Sequence, residues 1–124
     1  MILRLWHGYT TPEKAETYEA LLRKDIFRGI EAKALTGFKG IELLRRDAGD
    51  EVEFVTIMRF ERIEDVKAFT GEEYDTAYVP ENARKVLKRF DARAQHYDLR
   101  EIRSYGQATE AGRLAAALGR EADA

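Results

Sequence analysis

The chain has 124 residues, 44% hydrophobic and 35% charged, with 21 Lys and Arg against 23 Asp and Glu and a net charge of -2. That length fits one domain, and such a chain buries roughly two-thirds of its unfolded surface. The even charge balance argues against nucleic acid, the absence of cysteine excludes disulfides, thiolate nucleophiles and Cys-bound zinc, and no apolar run approaches the ~18 residues of a membrane span. The opening Met1-Ile2-Leu3-Arg4-Leu5-Trp6-His7 has no signal-peptide pattern, so a cytoplasmic protein is expected.

Residues 2–10 are rich in large apolar and aromatic side chains and read as a strand. Thr11 offers a helix cap, Pro12 suits the first helical position, and Glu13 favours the positive end of the dipole. Ala15, Tyr18, Leu21, Leu22, Ile26 and Ile30 then make one apolar stripe, predicting a helix over about residues 12–33, with Gly37 before the next strand. Phe38 to Arg46 and Glu51 to Phe60 read as a hairpin around the turn residues Asp47-Ala48-Gly49-Asp50. Short helices are expected at 63–69 and about 80–88, joined by an acidic, lid-like loop over 71–79. A fourth strand is expected from Ala92 to Glu101. Residues 1–103 then form one domain, and 104–124 an Ala-rich tail, mobile or docked on a partner. The order is that of an α+β, ferredoxin-like βαββαβ plan: an antiparallel sheet with helices on one face.

The strands carry apolar residues on both faces. Phe54, Thr56, Met58 and Phe60 alternate with Val55 and Ile57; Ile41 and Leu43 oppose Phe38 and Leu44; Leu3 and Leu5 oppose Ile2 and Trp6. Helices of one chain cover one face only. The other is expected to pack on a second copy, giving a homodimer through the sheet face. The alternative, a tail folding back over that face, has only Leu114 and Leu118 as large anchors.

The opening Ile2-Leu3-Arg4-Leu5-Trp6-His7-Gly8, the hairpin ending Phe54-Val55-Thr56-Ile57-Met58-Arg59-Phe60-Glu61, and Glu64-Asp65-Val66-Lys67-Ala68-Phe69 resemble the antibiotic biosynthesis monooxygenase (ABM) domain of the dimeric α/β-barrel superfamily. The likeness covers about residues 1–101. It implies a pocket between sheet and helices, and a cofactor-independent monooxygenase acting on a small phenolic or polycyclic aromatic compound. Other members degrade haem through a helix-region His, and residues 63–90 here contain none. A non-catalytic small-molecule-binding or assembly protein on the same scaffold, or an isomerase or cyclase, are the alternatives.

His7 and His96 are the only histidines and lie on strands expected to be neighbours, which makes both candidate bases for deprotonating a phenol or enol. A structural hydrogen-bonding role is the plainer reading. His96-Tyr97-Asp98 with His7 could imitate an iron site, by a spacing common by chance; no metal and no cofactor are assigned. Arg59 and Tyr78 are candidates for orienting an anionic oxygen, Arg59 otherwise pairing with Glu42 or Glu53. Trp6, Tyr9, Phe69 and Tyr74 would furnish an aromatic wall for a flat substrate, or ordinary core filling.

Overall fold

The structure, a computed structural model, describes residues 1–106. Most of the expected tail therefore lies outside the described residues. Strand β1 (Ile2–Thr10) is central. β3 (Glu51–Phe60) pairs along one side of it in antiparallel register, Ile2 opposite Phe60 and Thr10 opposite Val52. β2 (Phe38–Ala48) pairs with β3 in the hairpin and forms the sheet's edge. On the other side of β1 lie two short antiparallel strands, β4 (Arg89–Phe90) against Gly8 and Tyr9, and β5 (Gln95–Asp98) against Ile2 to Leu5. With helices α1 (Ala15–Leu21) and α2 (Phe27–Ala32) between β1 and β2, and α3 (Ile63–Thr70) and α4 (Glu81–Arg84) after β3, the plan is the ferredoxin-like βαββαβ order with its last strand in two pieces.

The long helical stretch is not uniform. Thr11 makes no side-chain cap, and Pro12–Lys14 is a 3₁₀ turn. Between α1 and α2, Leu22–Ile26 forms a π turn. The buried stripe Tyr18, Leu22, Ile26 and Ile30 advances in steps of four. In a regular α-helix each such step drifts by about 40° around the axis. The wider π turn removes part of that drift and keeps the stripe on the sheet. There it meets Val52, Phe54, Met58, Phe60 and Val66 in one core.

Three expectations change. Phe38 shares the helix-facing side with Ile41 and Leu43: a register shift between Phe38 and Gly40 swings it onto Phe60, ring centroids 5.4 Å apart. The second short helix ends at Arg84, continuing only as turns. The strand expected from Ala92 to Glu101 is shorter, Gln95–Asp98, and Arg89–Phe90 adds an unexpected piece before it; between the two, Asp91 to Ala94 turns toward the loop before α4. Trp6 Nε1–H donates to the Asp91 carbonyl (2.7 Å), Ala77 N–H donates to the Ala92 carbonyl (3.0 Å), and Ala94 N–H to that of Asp75 (2.7 Å). The expected lid loop is thus tied to the sheet by its second half.

Two glycines are dictated by close approach. Gly37 has φ +78°, and a Cβ there would collide with the Asp65 carboxylate. At Gly8 a Cβ would come within 2.9 Å of the Trp6 ring. Without it the indole can lie along its own strand and face the helices.

Candidate functional site

Alternation along β1 decides which residues can meet a ligand. Ile2, Arg4, Trp6, Gly8 and Thr10 point toward the helices, while Leu3, Leu5, His7 and Tyr9 point to the opposite, open face. On the helix side lies a small cavity of about 40 Å³, open at its mouth. Trp6, Phe69 and Tyr78 supply aromatic wall, Leu22, Ile26 and Ile30 the helical wall, and Met58 the floor. Tyr78 is 38% exposed and packs on Phe69, ring centroids 4.9 Å apart.

One charged group lines this cavity. Arg4 is 3% exposed, on the strand face shared with Trp6. Its Nη1 donates to the carbonyl of Tyr74 (2.6 Å) and to His96 Nε2 (3.0 Å), and Nη2 donates to the carbonyl of Thr76 (2.9 Å). The guanidinium also lies over the Phe69 ring, 5.8 Å from its centroid. Burial pushes its pKa down to about 10, partly offset by Asp75, so it stays a cation at neutral pH. The sequence reading singled out Arg59 as an arginine in an apolar strand and passed over Arg4. The signal was present: position 4 falls in phase with Ile2 and Trp6, on the face due for burial.

The candidate residues divide accordingly. Trp6, Phe69 and Tyr78 come together on the cavity. Tyr74 lies next to it, edge-on to the His96 ring at 5.1 Å, and its carbonyl holds Arg4. His96 faces the same side from β5, opposite Arg4 in register. A guanidinium only donates, so Nε2 must accept and the ring proton sits on Nδ1. The single lone pair of the neutral imidazole is spent on Arg4. Desolvation, with repulsion from Arg4, lowers its pKa, which keeps it neutral.

His7, Tyr9 and Arg59 are on the open face. The expected approach of His7 and His96 does not occur: one strand neighbours the other, but the two rings project from opposite sides of the sheet. His7 Nδ1 donates to Glu53 Oε2 (2.8 Å), and Arg46 holds the other oxygen of that carboxylate (2.7 Å). Bonds from His7 and Arg46 hold the Glu53 carboxyl below the usual range. Arg59 arches over Gly40 to Glu42 (3.0 Å), and Arg89 covers the Tyr9 ring at 3.7 Å.

No protein-family model matches the chain, and no curated protein matches it in sequence. Solved structures match in shape. The chain is similar to a candidate antibiotic biosynthesis monooxygenase from Bacillus cereus at TM-score 0.55 and 16% identity, over 83% of this chain and 96% of that one. It is also similar to Rv0793 of Mycobacterium tuberculosis at TM-score 0.54 and 17% identity, over 83% of this chain and 98% of that one. No described helix is long and apolar enough to cross a membrane. The chain has the ferredoxin-like fold of these proteins, the fold that the residues of its strands and helix starts resemble.

Proposed function

We propose that the protein is a homodimer, joined through the open face of the sheet, that binds one small flat phenolic or polycyclic aromatic molecule per subunit and oxidises it with molecular oxygen without a bound cofactor. The observation that carries the reading is the aromatic-walled cavity of Trp6, Phe69 and Tyr78 with a buried guanidinium in its wall. An ionised hydroxyaromatic is itself the electron donor. Its ring carbon gives electrons to O₂ and a C–O bond forms; the O–O bond then breaks, water leaves and a carbonyl remains. The cavity's part is to hold the ring, keep bulk water off it and stabilise the anionic oxygen that precedes electron transfer. The B. cereus protein, named for monooxygenation, has this fold, which agrees with the reading.

The open face supports the dimer. Leu3, Leu5, Val55 and Ile57 are half-buried there, beside Leu44 (47% exposed) and Tyr97 (53%). The patch is rimmed by the Glu53 and Glu42 ion pairs, an apolar centre with a polar margin as interfaces have.

A second reading has its own observation. Among the described residues lining the cavity there is no carboxylate and no imidazole, and His96 has its lone pair engaged. This favours a non-catalytic binding protein on the same scaffold. Oxygen consumption separates the two. An electrode should record uptake with anthrone-like or quinol substrates, stoichiometric with carbonyl product and abolished by heat denaturation. No uptake across a broad panel, with binding retained, selects the carrier.

A further inference from the structure

We infer that the cavity takes its guest as an anion, an aromatic acid whose negative oxygen, carboxylate or phenolate, sits on the guanidinium of Arg4. This rests on the reading of the cavity as an aromatic site and adds the charge of what enters it. Three observations lead there. Arg4 is 3% exposed, yet its partners are two carbonyls and a neutral imidazole, none of which balances its charge. The nearby carboxylate, Asp75, is bound to Arg93 at 2.9 Å, and Arg4 makes no ion pair among the described residues. Those bonds use three of the five guanidinium N–H groups, leaving the one on Nε and one on Nη2. A buried cation with no direct ion pair, only the more distant Asp75 that Arg93 already holds, is a costly arrangement in a wall otherwise made of aromatic, aliphatic and hydroxyl groups. An incoming anion removes that cost and accepts the two remaining bonds.

The surroundings fix the group for this task. Tyr74 and Thr76 carbonyls grip both terminal nitrogens, and the loop that carries them is tied to residues 92–94. His96 acts on the guest only through Arg4; it is a positioning residue. Tyr18 also lines the cavity, and burial pushes its phenol pKa up, so its hydroxyl remains a neutral donor. Tyr78, Val79 and Pro80 form the opposite wall, so a ring would lie between them and the helix with its charged oxygen toward β1.

Trp6 is the sole tryptophan of the chain and lines the cavity, so its fluorescence reports occupancy. Two probe pairs differ mainly in charge: 2-naphthoate against 2-naphthamide, and 4-nitrophenolate against 4-nitroanisole. In the intact protein the anion of at least one pair should bind at least tenfold more tightly than its neutral partner, and which pair shows it tells carboxylate from phenolate. Arg4→Met should erase that preference while leaving the neutral probes within about twofold. Equal binding of charged and neutral members in the intact protein overturns the inference while leaving the aromatic site standing. A preference that survives in a folded Arg4→Met protein overturns it too. Quenching by none of the four removes the site itself, and both readings with it. Should Arg4→Met not fold, Arg4→Lys retains the charge without the fork and must weaken the preferred anion; unchanged affinity again overturns the assignment.

Discussion

The two faces of one sheet solve the same problem in different ways. On the helix side, Phe54, Met58 and Phe60 are sealed under the helices, and the one charged group lining the cavity, Arg4, is buried with neutral hydrogen-bond partners. On the open side, Val55, Ile57 and Leu5 alternate with them along the same strands, yet the charges around them are paired: Arg46 with Glu53, which also accepts from His7, Arg59 with Glu42, and Arg89 with Glu51. Charges that are already balanced ask for nothing further, and such a surface suits packing against another protein surface. A charge only partly balanced, beside empty space, suits a ligand. The difference locates the chemistry more sharply than a count of polar residues would.

The comparison breaks most visibly in the energetics of truncation. Phe60→Ala removes a fully buried ring that packs on Phe38 and Phe69, and should cost about 3–5 kcal/mol in urea unfolding. Leu44→Ala, on the open side and 47% exposed, should cost less than half of that. Equal losses would mean that the open face is as sealed as the covered one, within the chain or against a second copy. A change of mass tests the same face next. The protein should sediment at twice 14.3 kDa at micromolar concentration, and Ile57→Arg should give a folded 14.3 kDa species. A wild-type monomer would refute the sheet-to-sheet dimer.

Much of this fold could be read from the chain because period-two and period-four patterns are local. The sequence Phe54-Val55-Thr56-Ile57-Met58 states its own strand and both of its faces, and Gly49 states the hairpin turn. What pattern alone misassigned depended on partners distant in sequence. The final strand comes in two pieces, Arg89–Phe90 and Gln95–Asp98, and in the turn between them Trp6 Nε1–H takes the carbonyl of Asp91, 85 residues away. Phe38 changed sides through one irregular residue step. Of the aromatic residues legible as candidates, Trp6, Phe69 and Tyr78 line the cavity, Tyr74 lies beside it and Tyr9 is on the open face. The charge of the site was not legible. His7 drew attention as a residue type suited to proton transfer, whereas position parity, which puts Arg4 inside and His7 outside, carried the information. Parity was available for β1 as it was for β3.

The smallest effect separates the two roles a histidine beside that arginine can have. In the folded protein His96 titrates below its ordinary value of 6.5, through desolvation first and the charge of Arg4 second. The unfolded chain therefore binds the proton more readily. Above about pH 6.5 both states carry a neutral imidazole and the Arg4 bond is intact; as pH falls toward the folded pKa, the unfolded state gains protons first and stability is lost. His96→Gln keeps an acceptor for Arg4 Nη1 and removes the titration. Urea midpoints compared between about pH 7.5 and pH 5 should show the wild type losing more than the variant over that interval. Equal losses would mean that the Arg4–His96 bond does not hold the imidazole neutral. The ring would then be available as a base after all, and the cavity would own the proton acceptor that its lining otherwise lacks.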